Sequence, residues 1–143
     1  MGTATLATHV YDPVRDPAWV VCDCRHDLQD TEYGPRAYAD AHIPGARFLH
    51  IDHDLSGART GQNGRHPLPD PERLAGKLGS LGIGNETQVV AYDAQGGMYA
   101  ARLWWLMRWL GHEQVAVLDG GLTQWLADAR PVTGDPPDIT PAT

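Results

Sequence analysis

Four short apolar runs are separated by segments with helical spacing: Trp19–Cys24 (WVVCDC), Ala46–Ile51, Thr87–Tyr92 (TQVVAY) and Gln114–Leu118 (QVAVL). No other feature restricts the fold as tightly. Short strands that alternate with helices build a mainly parallel sheet covered on each side. A fifth, short strand is read near Ala4–His9. The expected architecture is therefore a three-layer α/β fold, with a central, mainly parallel sheet of about five strands and helices on both faces. Helices are expected over Pro35–Ala41, Pro71–Leu81, Met98–Leu110 and Leu122–Ala127. Asp70 is a good N-cap, and Pro71 suits the first turn that follows it. Leu74, Leu78 and Leu81 make that helix's apolar stripe. In Met98–Leu110 the core stripe is read as Ala100, Leu103, Trp104, Met107 and Leu110. Leu122, Trp125 and Leu126 share one side of the last helix.

The 143 residues suit one domain, read as 1–130, followed by a Pro- and Thr-rich linker or tail over 131–143. The polar stretch Asp52–Asp70 is read as a surface loop. Net charge is −7, with Lys77 the single lysine and the arginines scattered. That distribution argues against nucleic acid and against anionic membrane surfaces. No apolar run approaches the length of about 18 residues that a membrane helix needs. The first residues lack the basic and apolar blocks of a signal peptide, so a cytoplasmic location is expected. Cys22 and Cys24 have the wrong spacing for a normal disulfide or a CxxC pair, and are read as small buried residues.

Sites in parallel α/β sheets form beyond the carboxyl ends of the strands. That rule selects Asp23 with Arg25, the turn Asp93-Ala94-Gln95-Gly96-Gly97-Met98, and Asp119-Gly120-Gly121. In the second of these, the glycines let backbone N–H groups point inward, and the following helix adds its positive end. The turn is thus a candidate anion cradle. It lacks the Lys-Ser/Thr of a P-loop and the glycine spacing of a dinucleotide site. Asp93 as a phosphoryl-accepting nucleophile has no supporting Asp, Lys or Thr pattern. The run HIDHD (His50–Asp54) holds four metal-capable side chains. If extended, His50 and Asp52 share one face and His53 lies on the other, which splits the ligands; a solvated loop is preferred and no metal or cofactor is expected.

Tyr38, three further residues, then His42-Ile43-Pro44-Gly45-Ala46 resemble the signature of the rhodanese family of sulfurtransferases. DCR at Asp23–Arg25 and VLDGGLTQW at Val117–Trp125 resemble two further family motifs, with Leu122 where an aromatic is common. The stretches around Phe48–Ile83 and Val89–His112 are similar to the N-terminal domain of two-domain thiosulfate or 3-mercaptopyruvate sulfurtransferases. The resemblance implies that sulfur is carried as a persulfide by a cysteine on a second domain, and that Asp93 stands at the equivalent nucleophile position here. It further implies no catalytic residue in this chain, and scaffold roles for Asp23, Arg25 and His42. A carboxylate accepts the hydrogen bonds of the cradle, cannot be persulfurated and repels anionic donors. The implied partner is a second rhodanese domain in cis or another copy of the chain. Trp105 and Trp109, with Arg102 and Arg108, fall opposite the core stripe. They suit either such an interface or packing under another helix. Two alternatives stay open: a stand-alone binding or regulatory module, and a phosphatase-like hydrolase. The latter needs a loop cysteine and arginine, which are missing between Asp93 and Ala101.

Overall fold

A computed structural model describes residues 1–10, 19–60, 62, 64 and 66–142. Residues 11–18 of the expected domain, Gly61, Asn63 and Arg65 of the expected Asp52–Asp70 loop, and Thr143 of the expected tail lie outside the described residues. In chain order the elements are α1 (Thr3–Val10), β1 (Trp19–Asp23), α2 (Tyr33–Asp40), β2 (Arg47–Phe48), α3 (Pro71–Ser80), β3 (Gln88–Tyr92), α4 (Met98–Trp109), β4 (Val115–Val117) and α5 (Gly121–Ala127). Among the described residues the strands form a four-stranded sheet in the order β2-β1-β3-β4, parallel at every pairing. Val20 pairs with Val89 and Asp23 with Tyr92, so β1 and β3 end level.

Side chains alternate across the strands and split the core in two. Val20, Cys22, Val89, Ala91 and Val115 meet Leu74 and Leu78 of α3 and Leu103, Leu106 and Met107 of α4. Val21, Val90 and Tyr92 meet Leu6 of α1 and Leu122 and Trp125 of α5. Helices therefore cover both faces. Asp70 caps α3 as expected, accepting the Arg73 N–H at 3.0 Å.

Three expectations are corrected. The segment Ala4–His9 is helical, not a fifth strand. Thr3, Leu6 and Ala7 are its buried residues, and that i, i+3, i+4 spacing satisfies a helix against the sheet rather than a strand within it. Trp104 is not in the core stripe of α4, which runs through Tyr99, Ala100, Leu103, Leu106 and Met107. The helix is rolled toward Leu106, and the Trp104 indole is left half-exposed under the Arg108 guanidinium. Leu126 likewise faces out, while Trp125 is fully buried.

Residues beyond 130 run back over the domain. Thr133 and His42 exchange two backbone hydrogen bonds of 2.8 Å. The Trp125 indole N–H donates to the Pro131 carbonyl at 2.9 Å, and the Ala142 N–H to the Gly79 carbonyl at 2.8 Å. No helix among the described residues is long and apolar enough to cross a membrane.

Candidate functional site

The turn after β3 wraps around its own first residue. Asp93 is buried, and both carboxylate oxygens are in use. Oδ1 accepts the N–H of Gln95 at 3.0 Å and of Gly97 at 2.8 Å. Oδ2 accepts the N–H of Tyr99 and of Ala100, each at 2.9 Å. The last two are free donors at the start of α4, where the helix end is electropositive. Gly97, with φ +95, makes the left-handed bend that turns the chain into the helix. Ala94, Gly96 and Met98 are exposed on the outer rim, and Gln95 folds over it, its Oε1 accepting the Ala94 N–H at 3.2 Å.

A second turn supports the first from behind. A Cβ on Gly121 would lie 2.4 Å from the Asp93 carbonyl oxygen, so only glycine permits this approach. The Leu122 N–H closes it by donating to that carbonyl at 2.9 Å. Asp119 itself points outward, its carboxylate 3.3 Å from the Met1 ammonium. Of Asp119-Gly120-Gly121, the backbone rather than the acid meets the cradle.

Asp23 and Arg25 form a buried ion pair at the end of β1. Arg25 Nη2 lies 2.7 Å from Asp23 Oδ2 and donates again to the Ala41 carbonyl at 2.6 Å. The Tyr92 hydroxyl donates to Asp23 at 2.7 Å and accepts the Ile43 N–H at 3.2 Å. Burial first, then the charge of Asp23, hold the Tyr92 phenol well above its ordinary range. The network thus ties β1 and β3 to the His42–Ala46 corner. Within that corner the Tyr38 hydroxyl donates to the Ala46 carbonyl, and Tyr38 stacks on His42 at 4.1 Å. His42 sets its two ring nitrogens 2.8 Å from the carbonyl oxygens of Tyr38 and Asp135. Pro44 and Gly45 shape the bend at φ +81. None of these groups is aimed at the Asp93 turn.

The cysteines lie away from the surface. Cys22 and Cys24 are free and fully buried. Burial pushes the Cys22 thiol up to about 12, and burial also holds Cys24 well above its ordinary value. A neutral, enclosed thiol is a poor nucleophile.

Beside the cradle lies a cavity of about 490 Å³, lined by His26, Asp27, Leu28, Gln29, Tyr33, Gln95 and Tyr99. His26 is missing from the sequence-derived candidates, although it follows Arg25 directly at the end of β1. HIDHD is not extended. The chain turns there, and His50 spends Nε2 on the Thr31 carbonyl at 2.8 Å and Nδ1 on the N–H groups of Asp52 and His53. Asp52 instead meets His26 and His66, whose ligand atoms and its own all lie within 4.8 Å of one another. His66 is carried there by a loop with no periodicity to flag it. Arg102, read as part of the outer face of α4, actually pins that loop by donating to the carbonyls of Leu55, His66 and Pro67. Trp105 and Trp109 are on the outer face, 48% and 39% exposed, with rings stacked at 6.1 Å.

The family profile described as Rhodanese-like domain matches residues 6–128. The chain belongs to the rhodanese-like family. This rhodanese-like domain is 47% identical, over 145 aligned positions, to a probable 3-mercaptopyruvate sulfurtransferase of Pseudomonas aeruginosa, covering 99% of this chain and 51% of that protein. It is 36% identical to the thiosulfate sulfurtransferase of Bos taurus, covering 99% of this chain and 48% of that protein. Among solved structures, the 3-mercaptopyruvate sulfurtransferase from Leishmania major superposes with a TM-score of 0.87 at 28% identity, over 100% of this chain and 38% of that one. The chain thus spans about half the length of the curated relatives it matches.

Proposed function

We propose that this rhodanese-like domain is the non-catalytic half of a two-domain sulfurtransferase acting on thiosulfate or 3-mercaptopyruvate, with Asp93 at the position a persulfide-forming cysteine holds in an active domain. The observation that carries this is the saturation of Asp93 by four backbone N–H groups. The same donors would stabilise a thiolate or persulfide. Here a carboxylate takes them all, leaving no nucleophile and adding a charge that repels anionic donors. The enclosed thiols of Cys22 and Cys24 offer no substitute.

The exposed, stacked Trp105 and Trp109 are the proposed docking surface for the second, catalytic domain. Two large indoles side by side in water are costly, and aromatics with arginine are enriched at interfaces. Coverage of about half of the Pseudomonas aeruginosa and Bos taurus proteins supports a second domain as the occupant.

The test is thiocyanate production from thiosulfate and cyanide. The domain alone is expected to show none above buffer. Turnover abolished by Cys22→Ser or Cys24→Ser would overturn the proposal. In Asp93→Cys the thiolate is expected to attack the outer sulfur of thiosulfate, break the S–S bond and release sulfite, leaving a persulfide visible by mass spectrometry. Failure of a folded Asp93→Cys variant to take up sulfur would remove the cradle from the argument.

A further inference from the structure

We propose that His26, Asp52 and His66 form a binding site for a divalent transition-metal cation, with zinc the best-suited ion. His26 is only 1% exposed, yet neither of its ring nitrogens has a hydrogen-bond partner. A buried imidazole left so is unusual, because lost solvation is not recovered. Its Nε2 points toward Asp52, 3.9 Å from Oδ2. His66 Nε2 lies 3.0 Å from the other oxygen, Oδ1. Donors around one zinc, each at about 2.0–2.2 Å, stand roughly 3–3.6 Å from one another. Little movement is needed to bring these three onto a common ion.

The ligand set chooses the metal class. Two imidazoles and one carboxylate suit Zn²⁺, Ni²⁺ or Cu²⁺ and disfavour Ca²⁺ and Mg²⁺, which want oxygen. Both imidazoles are held below their ordinary titration range, chiefly by burial, so each presents a neutral ring to a cation. The surroundings fix the ligands in place. The Asp52 N–H is held by His50 Nδ1 at 3.1 Å, and the His66 carbonyl by Arg102 at 3.0 Å. Such outer contacts orient ligands and tune affinity. Two cations bear on the cluster: Arg59, 3.6 Å from Asp52 Oδ1, is over half exposed and free to swing into solvent, and Arg102 is held on the loop carbonyls behind His66. Three protein ligands leave zinc an open position, and His26 also lines the cavity of about 490 Å³ next to the Asp93 turn.

The experiment is calorimetric titration of the chelator-treated protein with zinc, alongside cobalt titration read by visible d–d bands. One zinc per chain is expected, at micromolar affinity or tighter. His66→Ala and Asp52→Asn, both at partly exposed positions, should each weaken binding at least about tenfold. His53→Ala, an exposed neighbour outside the cluster, should leave binding unchanged. Circular dichroism on each variant separates lost binding from lost fold. Absence of saturation by about 1 mM zinc, or binding indifferent to His66→Ala and Asp52→Asn, or binding lost on His53→Ala, each overturns the proposal.

Discussion

Asp93 and His26 are two buried polar side chains at the ends of adjacent strands, and they are opposites. Asp93 has four donors aimed at it. The His26 ring, 5.2 Å from that of Tyr99 at the start of α4, has no hydrogen-bond partner at either nitrogen. The residue type alone does not separate a saturated group from an unsatisfied one. What separates them is whether the surrounding backbone has already used the side chain's capacity. The acid of the turn has its hydrogen-bonding capacity filled by its own backbone, and the histidine that attracts no notice in the sequence is the group with capacity to spare.

Substitutions can break this contrast, and the largest effect belongs to Asp93→Ala. It leaves four N–H groups unpaired, two of them buried and two partly buried. Urea unfolding should show a loss of about 3–5 kcal/mol; a loss under 1 kcal/mol would mean the turn is not held by this side chain. Asp93→Asn comes next. Its carbonyl oxygen keeps one pair of donors while its NH₂ group faces the other pair, so about 2 kcal/mol should be lost. Asp70→Ala sharpens the comparison, because there a carboxylate caps a helix at the exposed surface. It should cost about 1 kcal/mol, and a cost equal to that of Asp93→Ala would mean that burial adds nothing.

His26→Leu should do least, being neutral or stabilising by up to about 1 kcal/mol in metal-free protein. Its signature is in the pH dependence. Burial holds His26 and His66 below the ordinary value of 6.5. Below that pH the unfolded chain binds protons that the native chain refuses, so stability is complete above it and falls as the solution is acidified. The urea midpoint should therefore decline between pH 7 and 5, and decline less in His26→Leu. An identical slope in the variant would remove His26 from the titration.

The contrast also marks how far the sequence could be read. The alternation of apolar runs and helices located β1, β3, β4 and α3 to within about a residue, because those elements are decided by local periodicity and caps. The Asp93 turn was legible too, since all its donors come from the next seven residues. Three things were not. The short first segment carries both strand-like and helix-like patterns, and only its packing against Val21 and Trp125 selects the helix. The face of α4 was misjudged at Trp104, because a stripe read at fixed angles does not say how the helix rolls onto its sheet. The His26–Asp52–His66 cluster joins residues from two loops that no short motif connects.

The sheet order has a kinetic consequence. The two central strands are neighbours in space, but Asp23 and Tyr92, at their level ends, are 69 residues apart in the chain. Their pairing cannot form until that whole segment closes into a loop, and loop closure is entropically costly before the contacts repay it. Until then β1 and β3 expose unpaired, strongly apolar edges. The Asp93 cradle, being local, can assemble early, whereas Asp23–Tyr92 must wait for the strands to meet. Refolding should be governed by that single long-range event, and the nascent chain is most exposed to aggregation after Asp23 has been made and before Tyr92 arrives.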